Sequence, residues 1–182
     1  PKSEQFRTDI ESWLKQEVNT KKGTLVLFSS RAQLEATRDT FLSDWYDQLL
    51  CQGFLPKAEI VRRHKERIDK GEGSIIFGLA SFAEGIDLPG NYVTHVIIVK
   101  IPFAVPDDPI QAAISEWLES RGRNPFMDLT LPAASVRLVQ ACGRLIRTES
   151  DHGRISILDK RLLSQRYDRL LLDSLPPFKR IP

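Results

Sequence analysis

Cysteine is almost absent from this 182-residue chain, which has only Cys51 and Cys142. Two thiols so far apart make no zinc or redox spacing, and a cluster held by four thiolates is excluded. Both read as buried free thiols in a reducing, cytoplasmic setting. Histidine is scarce too. His64, His95 and His152 are scattered without metal spacing, and none accompanies a serine elbow, so each reads as a core or surface residue and no metal site is expected. No apolar run approaches the ~18 residues of a membrane span, and no signal peptide is read in Pro1-Lys2-Ser3-Glu4-Gln5. A start without methionine predicts a piece of a longer chain. Charge of one sign is missing as well: 26 basic against 24 acidic residues leave a net +2, so any nucleic-acid surface must be local. Gly-Lys occurs nowhere, which removes the Gly-Lys-Ser/Thr phosphate loop. Asp-Glu-x-His and Gly-x-Gly-x-x-Gly are absent too. What remains, 41% hydrophobic and 27% charged, is the composition of one ordinary globular domain spanning 1–182.

Short apolar runs alternate with helical patterns. Strands are expected at Thr24–Phe28, Leu49–Cys51, Ser74–Phe77, Val93–Ile101 and Arg154–Leu158. Helices are expected from Ser3 to Thr20, Ala32 to Trp45, Lys57 to Lys70, Ile110 to Glu119, Ala133 to Thr148 and Lys160 to Leu172, with a loop from Arg121 to Pro132. Strands this uniformly apolar, alternating with helices, predict an α/β fold with a mostly parallel sheet covered by helices on both faces. In such sheets ligands sit beyond the carboxyl ends of the strands. That places Ser29-Ser30-Arg31 and the segment Ala80 to Gly90 as leading site candidates.

Gln140-Ala141-Cys142-Gly143-Arg144-Leu145-Ile146-Arg147 is the most telling stretch. On a helix, Gln140, Arg144 and Arg147 fall in one row. Such a row of donors suits negative charge building on a phosphoryl group. The other reading is an amphipathic helix with Leu138, Ala141 and Leu145 inward and the arginines in water. In the Ala80–Gly90 segment, Ser81 can donate to a phosphate, Glu84 can orient an arginine or a water, Gly85 permits close backbone approach and Asp87 can accept from ribose hydroxyls. Asp87-Leu88-Pro89-Gly90 is also ordinary turn chemistry. Ser29, Ser30 and Arg31, where a strand gives way to a helix, suit a phosphate; a serine there also makes a simple N-cap. Arginines fit for a γ-phosphate without a triphosphate cradle match half of a composite site.

In order and context these blocks resemble the second motor domain of a superfamily 2 helicase. Thr24 to Arg31 resembles motif IV, Gly78 to Gly90 motif V, and Gln140 to Arg147 motif VI in its Gln-x-x-Gly-Arg-x-x-Arg form. Lys100-Ile101-Pro102-Phe103 with Pro106-Asp107-Asp108-Pro109 resembles the marker of the DinG and XPD branch. Leu158-Asp159-Lys160-Arg161-Leu162 and Leu175-Pro176-Pro177 narrow the resemblance to bacterial DinG-like helicases.

The resemblance implies a RecA-like three-layer sandwich and, in the intact protein, an ATP-dependent DNA helicase (an ATP hydrolase) moving 5′ to 3′ on single strands in DNA repair or replication restart. ATP and Mg2+ would be shared with an absent first motor domain of the same polypeptide, and a 4Fe–4S cluster is expected only in that absent half. The resemblance makes Arg147 the arginine finger, Arg144 a phosphate contact and Gln140 a contact to the γ-phosphate or the attacking water. Glu84, Gly85 and Asp87 would serve the nucleotide, and Ser29, Ser30, Arg31 and Ser81 the backbone of single-stranded DNA. No membrane is implied. This chain alone is expected to be inactive. A non-catalytic RecA-like module for binding a partner or nucleic acid is the alternative.

Overall fold

The computed structural model describes residues 4–103, 109–145, 151–163 and 167–181. Two compact units are distinguishable along the chain. The first comprises residues 1–100 and 141–159, the second 101–140 and 160–182.

The first unit holds a five-stranded sheet built from β1 (Gly23–Phe28), β2 (Leu49–Cys51), β3 (Ser74–Leu79), β4 (His95–Ile98) and β5 (Arg154–Ile157). The order is β2-β3-β1-β4-β5, and every neighbouring pair is parallel. Helices α1 (Glu4–Glu17), α2 (Arg31–Phe41), α3 (Lys57–Asp69) and the single turn α4 (Ala80–Ala83) belong to the same unit.

Alternation along the strands explains why the runs are apolar throughout. Val26, Phe28, Ile75, Phe77 and Ile97 join Ile10 and Leu14 of α1 and Leu34 and Phe41 of α2 in one buried cluster. Phe28 meets Phe77 edge-on at 5.0 Å, and Trp45 stacks on Phe41 at 4.0 Å. The intervening Leu25, Leu27, Ile76, Val96 and Ile98 are equally buried and face the other way. On that side lies α3. Its buried His64 places Nδ1 2.9 Å from the Ser74 hydroxyl and Nε2 2.6 Å from the Tyr92 carbonyl. A carbonyl only accepts, so Nε2 carries the proton and Nδ1 accepts from Ser74. Burial pushes the His64 pKa down. Helices therefore cover both faces, as the apolar runs require. Each fully buried Leu, Ile or Phe contributes about 1.5–3 kcal/mol.

Several boundaries differ from the sequence expectation. The helix expected to reach Trp45 ends at Phe41, although Trp45 N still donates to Phe41 O at 2.9 Å. The strand expected over 93–101 pairs only through His95–Ile98; Val93, Val99 and Ile101 are apolar because they are buried. Within the expected loop 121–132 a wide helical turn, Phe126–Thr130, leads directly into α6 (Leu131–Cys142). The helical tail from Lys160 is a 3-10 turn, Lys160–Leu163, and later α7, Asp168–Asp173.

The second unit contains α5 (Pro109–Ser120), most of α6, and α7. Phe103, Phe126 and Tyr167 form an aromatic trio with centroids 5.0–6.1 Å apart, and Arg161 lies 4.9 Å over Phe103. Arg137 Nη1 donates to Pro102 O at 3.4 Å. Residues 104–108, which include Pro106, Asp107 and Asp108 of the expected Pro106-Asp107-Asp108-Pro109 block, lie outside the described residues.

Candidate functional site

In this sheet β1 and β3 are parallel neighbours, so their carboxyl ends lie together on the side where ligands sit in such sheets. Their last residues, Phe28 and Leu79, are register partners. The segments that follow, Ser29-Ser30-Arg31 and Ala80-Ser81, therefore leave the sheet side by side. Ser30 is extended at φ −145° and its Oγ accepts from Gln33 N at 3.3 Å, so it is the N-cap of α2. As an acceptor in the cap it keeps its proton for donation elsewhere. Ser29, Arg31 and Ser81 are exposed at the same edge.

The turn after β3 is shaped by two glycines. At Gly78, a Cβ would lie 2.8 Å from the Phe82 ring and 3.0 Å from its Cβ, so only glycine lets Phe82 fold back beneath α4. Gly85 has φ +70°, the left-handed region that glycine adopts freely. Between and beyond them the side chains alternate. Phe82, Ala83, Ile86 and Leu88 are buried, while Ser81, Glu84, Gly85 and Asp87 face water. The apolar members anchor the turn, and the polar ones are presented outward.

Motif VI departs from the helical row expected for it. Helix α6 ends at Cys142, and Gly143, Arg144 and Leu145 form a tighter turn. Arg144 N donates to Ala141 O at 3.2 Å and Leu145 N to Cys142 O at 3.1 Å, three residues back rather than four. Glycine costs a helix interior about 1 kcal/mol relative to alanine, and Gly143 stands where the helix stops. Gln140 and Arg144 are therefore not successive members of one α-helical stripe. Gln140 is exposed on α6, within the second unit. Arg144 is half-buried in the first, and its Nη1 donates to Ile86 O at 3.1 Å. That bond ties Arg144 to the backbone between Gly85 and Asp87. Arg147 lies outside the described residues.

Other ionisable groups serve the framework. His95 Nε2 is 2.9 Å from the Ser156 hydroxyl, and burial, reinforced by the nearby Arg154 guanidinium, pushes its pKa down to about 4. Burial pushes the thiols of Cys51 and Cys142 up to about 12. Among the described residues no cluster of three His, Cys, Asp or Glu side chains is placed to hold a metal ion. None of the described helices is long and apolar enough to cross a membrane.

Sequence reasoning missed two residues of the site. Gln52 Oε1 accepts from Leu79 N at 2.8 Å, and Lys57 Nζ donates to Glu84 O. Nothing in Gln52-Gly53-Phe54-Leu55-Pro56-Lys57 signals that reach, because it depends on β2 lying beside β3 in the sheet.

Residues 14–178 match the helicase C-terminal domain family. The chain belongs to that family. It is 42% identical over 186 residues to a protein named ATP-dependent DNA helicase DinG from Photobacterium profundum, covering all of this chain and 27% of that protein. To the DinG of Escherichia coli (strain K12) it is 41% identical over 177 residues, covering 96% of this chain and 25% of that protein. The helicase C-terminal domain thus spans about a quarter of the length of the curated relatives it matches. Among solved structures, an XPD helicase superposes with a TM-score of 0.71 at 21% identity over 96% of this chain and 31% of its own. A second, apo XPD structure gives 0.68 at 22% identity over 96% and 35%. The RecA-like fold that the resemblance implies is the fold these structures share.

Proposed function

We propose that this helicase C-terminal domain is the second motor domain of an ATP-dependent DNA helicase that moves 5′ to 3′ on single-stranded DNA, and that 1–182 acts as one such domain. The observation that carries the reading is the 3.1 Å bond from Arg144 Nη1 to Ile86 O. It joins motif VI to the motif V turn and holds a guanidinium against the backbone between Gly85 and Asp87. A guanidinium fixed to backbone is pre-organised for phosphate charge and needs little reordering when that charge develops.

In this reading ATP lies between this domain and the first motor domain of the same polypeptide. Arg144 contacts phosphate, Arg147 is the arginine finger and Gln140 addresses the γ-phosphate or the attacking water. Glu84, Gly85 and Asp87 line the nucleotide side. Ser29, Ser30, Arg31 and Ser81 hold the DNA backbone. The arginines engage only in the closed arrangement, so nucleotide favours closure and hydrolysis releases it. ATP and magnesium are shared with the first motor domain in this reading, and a 4Fe–4S cluster belongs to that other half.

The test uses the full-length protein. Arg147→Ala should lower DNA-stimulated ATP hydrolysis by about 10³–10⁵-fold, the usual worth of such a finger, with single-strand affinity changed less than about 2-fold. Near-normal turnover removes Arg147 from its role. Residues 1–182 alone should show no ATPase; robust turnover there refutes the half-site reading.

A further inference from the structure

The connection between β2 and α3 lies outside all three helicase motifs, yet it grips the motif V turn at both ends. At its start, Gln52 N donates to Phe77 O at 2.9 Å, and Gln52 Oε1 accepts from Leu79 N at 2.8 Å. Leu79 is the residue from which α4 departs. At its finish, Lys57 opens α3 behind Pro56, and its Nζ donates to Glu84 O, the C-cap carbonyl of α4. The same ammonium lies 5.4 Å over the Phe82 ring, and 3.9 Å from where a Cβ on Gly85 would stand. A helix of one turn leaves its last carbonyls without partners, and a lysine there satisfies one of them while favouring the negative helix end. The connection also carries Gly53, φ +92°, above which Arg31 Nη1 sits 3.1 Å from the place of a Cβ. A side chain at position 53 would displace Arg31.

We propose that Gln52 and Lys57 are positioning residues, a clasp that fixes the turn bearing Ser81, Glu84, Gly85 and Asp87. The turn it holds carries both Ser81, assigned to DNA, and Glu84, Gly85 and Asp87, assigned to the nucleotide. Its effect on ATP hydrolysis rests on the motor reading above; its effect on the turn rests on geometry alone.

Two readouts on the full-length protein separate these. The first is amide hydrogen exchange at residues 84–87 in wild type, Lys57→Met, Lys57→Arg and Gln52→Leu. Lys57→Met and Gln52→Leu should speed exchange by about 3- to 10-fold, the effect of losing one hydrogen bond at a partly exposed site. Lys57→Arg keeps the donor and should restore protection. The second is ATPase with and without single-stranded DNA. Lys57→Met should lose about 3- to 10-fold of the DNA-stimulated rate, and Lys57→Arg should recover it. Unchanged exchange in both Lys57→Met and Gln52→Leu overturns the clasp. So does equal loss in Lys57→Met and Lys57→Arg accompanied by equal lowering of Tm, which marks a purely structural lysine. If wild-type protein shows no DNA-stimulated ATPase, the motor reading falls and the exchange result alone decides the clasp.

Discussion

Replacing Gly85 by alanine separates the cost of a backbone conformation from the role of the turn that contains it. Gly85 has φ +70°, and an L-residue pays about 1–2 kcal/mol to stay there. A Cβ would meet only Lys57 Nζ at 3.9 Å, an ordinary contact with the end of a flexible side chain, so no steric term adds to the dihedral cost. Gly71 and Gly122 provide internal controls, since φ is +76° and +71° and nothing lies within 4 Å of either Cβ position. All three alanine variants should therefore lose a similar ~1–2 kcal/mol, about 2–8 °C in Tm for a unit of this size. Asparagine at each position should recover part of it, because its side chain tolerates the left-handed region. Only Gly85→Ala should also depress DNA-stimulated ATP hydrolysis in the full-length protein, because only there does the relaxing backbone carry Glu84, Ile86 O and Asp87. Thermal melts and ATPase assays on the three variants decide the matter. Equal activity in Gly85→Ala and Gly71→Ala would refute the assignment of this turn to the nucleotide. A much larger Tm loss in Gly85→Ala than in Gly71→Ala would refute the claim that the site is sterically open.

Gly78→Ala should cost about 1–3 kcal/mol, since the new Cβ stands 2.8 Å from the Phe82 ring. Combined with Phe82→Ala it should cost markedly less than the sum, and strict additivity in urea unfolding would contradict the close approach. Acid should weaken the domain through its buried histidines. Both have pKa values lowered in the folded state, so below about pH 6.5 the unfolded chain binds the extra protons. Their contribution is complete above that value and is lost as pH falls toward 4, by about 1–3 kcal/mol for His95. A urea midpoint that does not change between pH 7.5 and 5, or one equally pH-dependent in His95→Gln, would show the histidines to be uninvolved.

Much of this architecture was legible because burial on both faces leaves an unbroken apolar run. Thr24–Phe28 and Ser74–Phe77 needed no other signal, and the Leu49–Cys51 edge strand lies within the same pattern. Boundaries were less legible where packing and hydrogen bonding part company. Trp45 is buried at helical spacing beyond the end of α2, and Val93 and Val99 are buried beyond the ladder of β4. Asn124-Pro125 looked like a loop, yet Asn124 Oδ1 accepts from Phe126 N at 3.0 Å and Met127 N at 3.4 Å, starting a helical turn. Two segments of the candidate site could be located in the sequence because each follows a strand, and the third by its Gln-x-x-Gly-Arg-x-x-Arg pattern. Their arrangement could not. Periodicity carried α6 through Gly143 and stacked Gln140 with Arg144; in the structure the helix stops and Arg144 is held by Ile86 O. The clasp of Gln52 and Lys57 depends on which strands become neighbours, a property of the whole sheet rather than of any window of residues.

The two thiols give this domain a chemical clock. Burial pushes both pKa values up to about 12, so each thiol stays protonated at pH 8. An alkylating reagent must therefore wait for local opening. Cys51 lies in the outermost strand and Cys142 one residue before the bend that sets Arg144. Their labelling rates would time the fraying of the sheet edge and the loosening of the arginine turn separately, without any added probe.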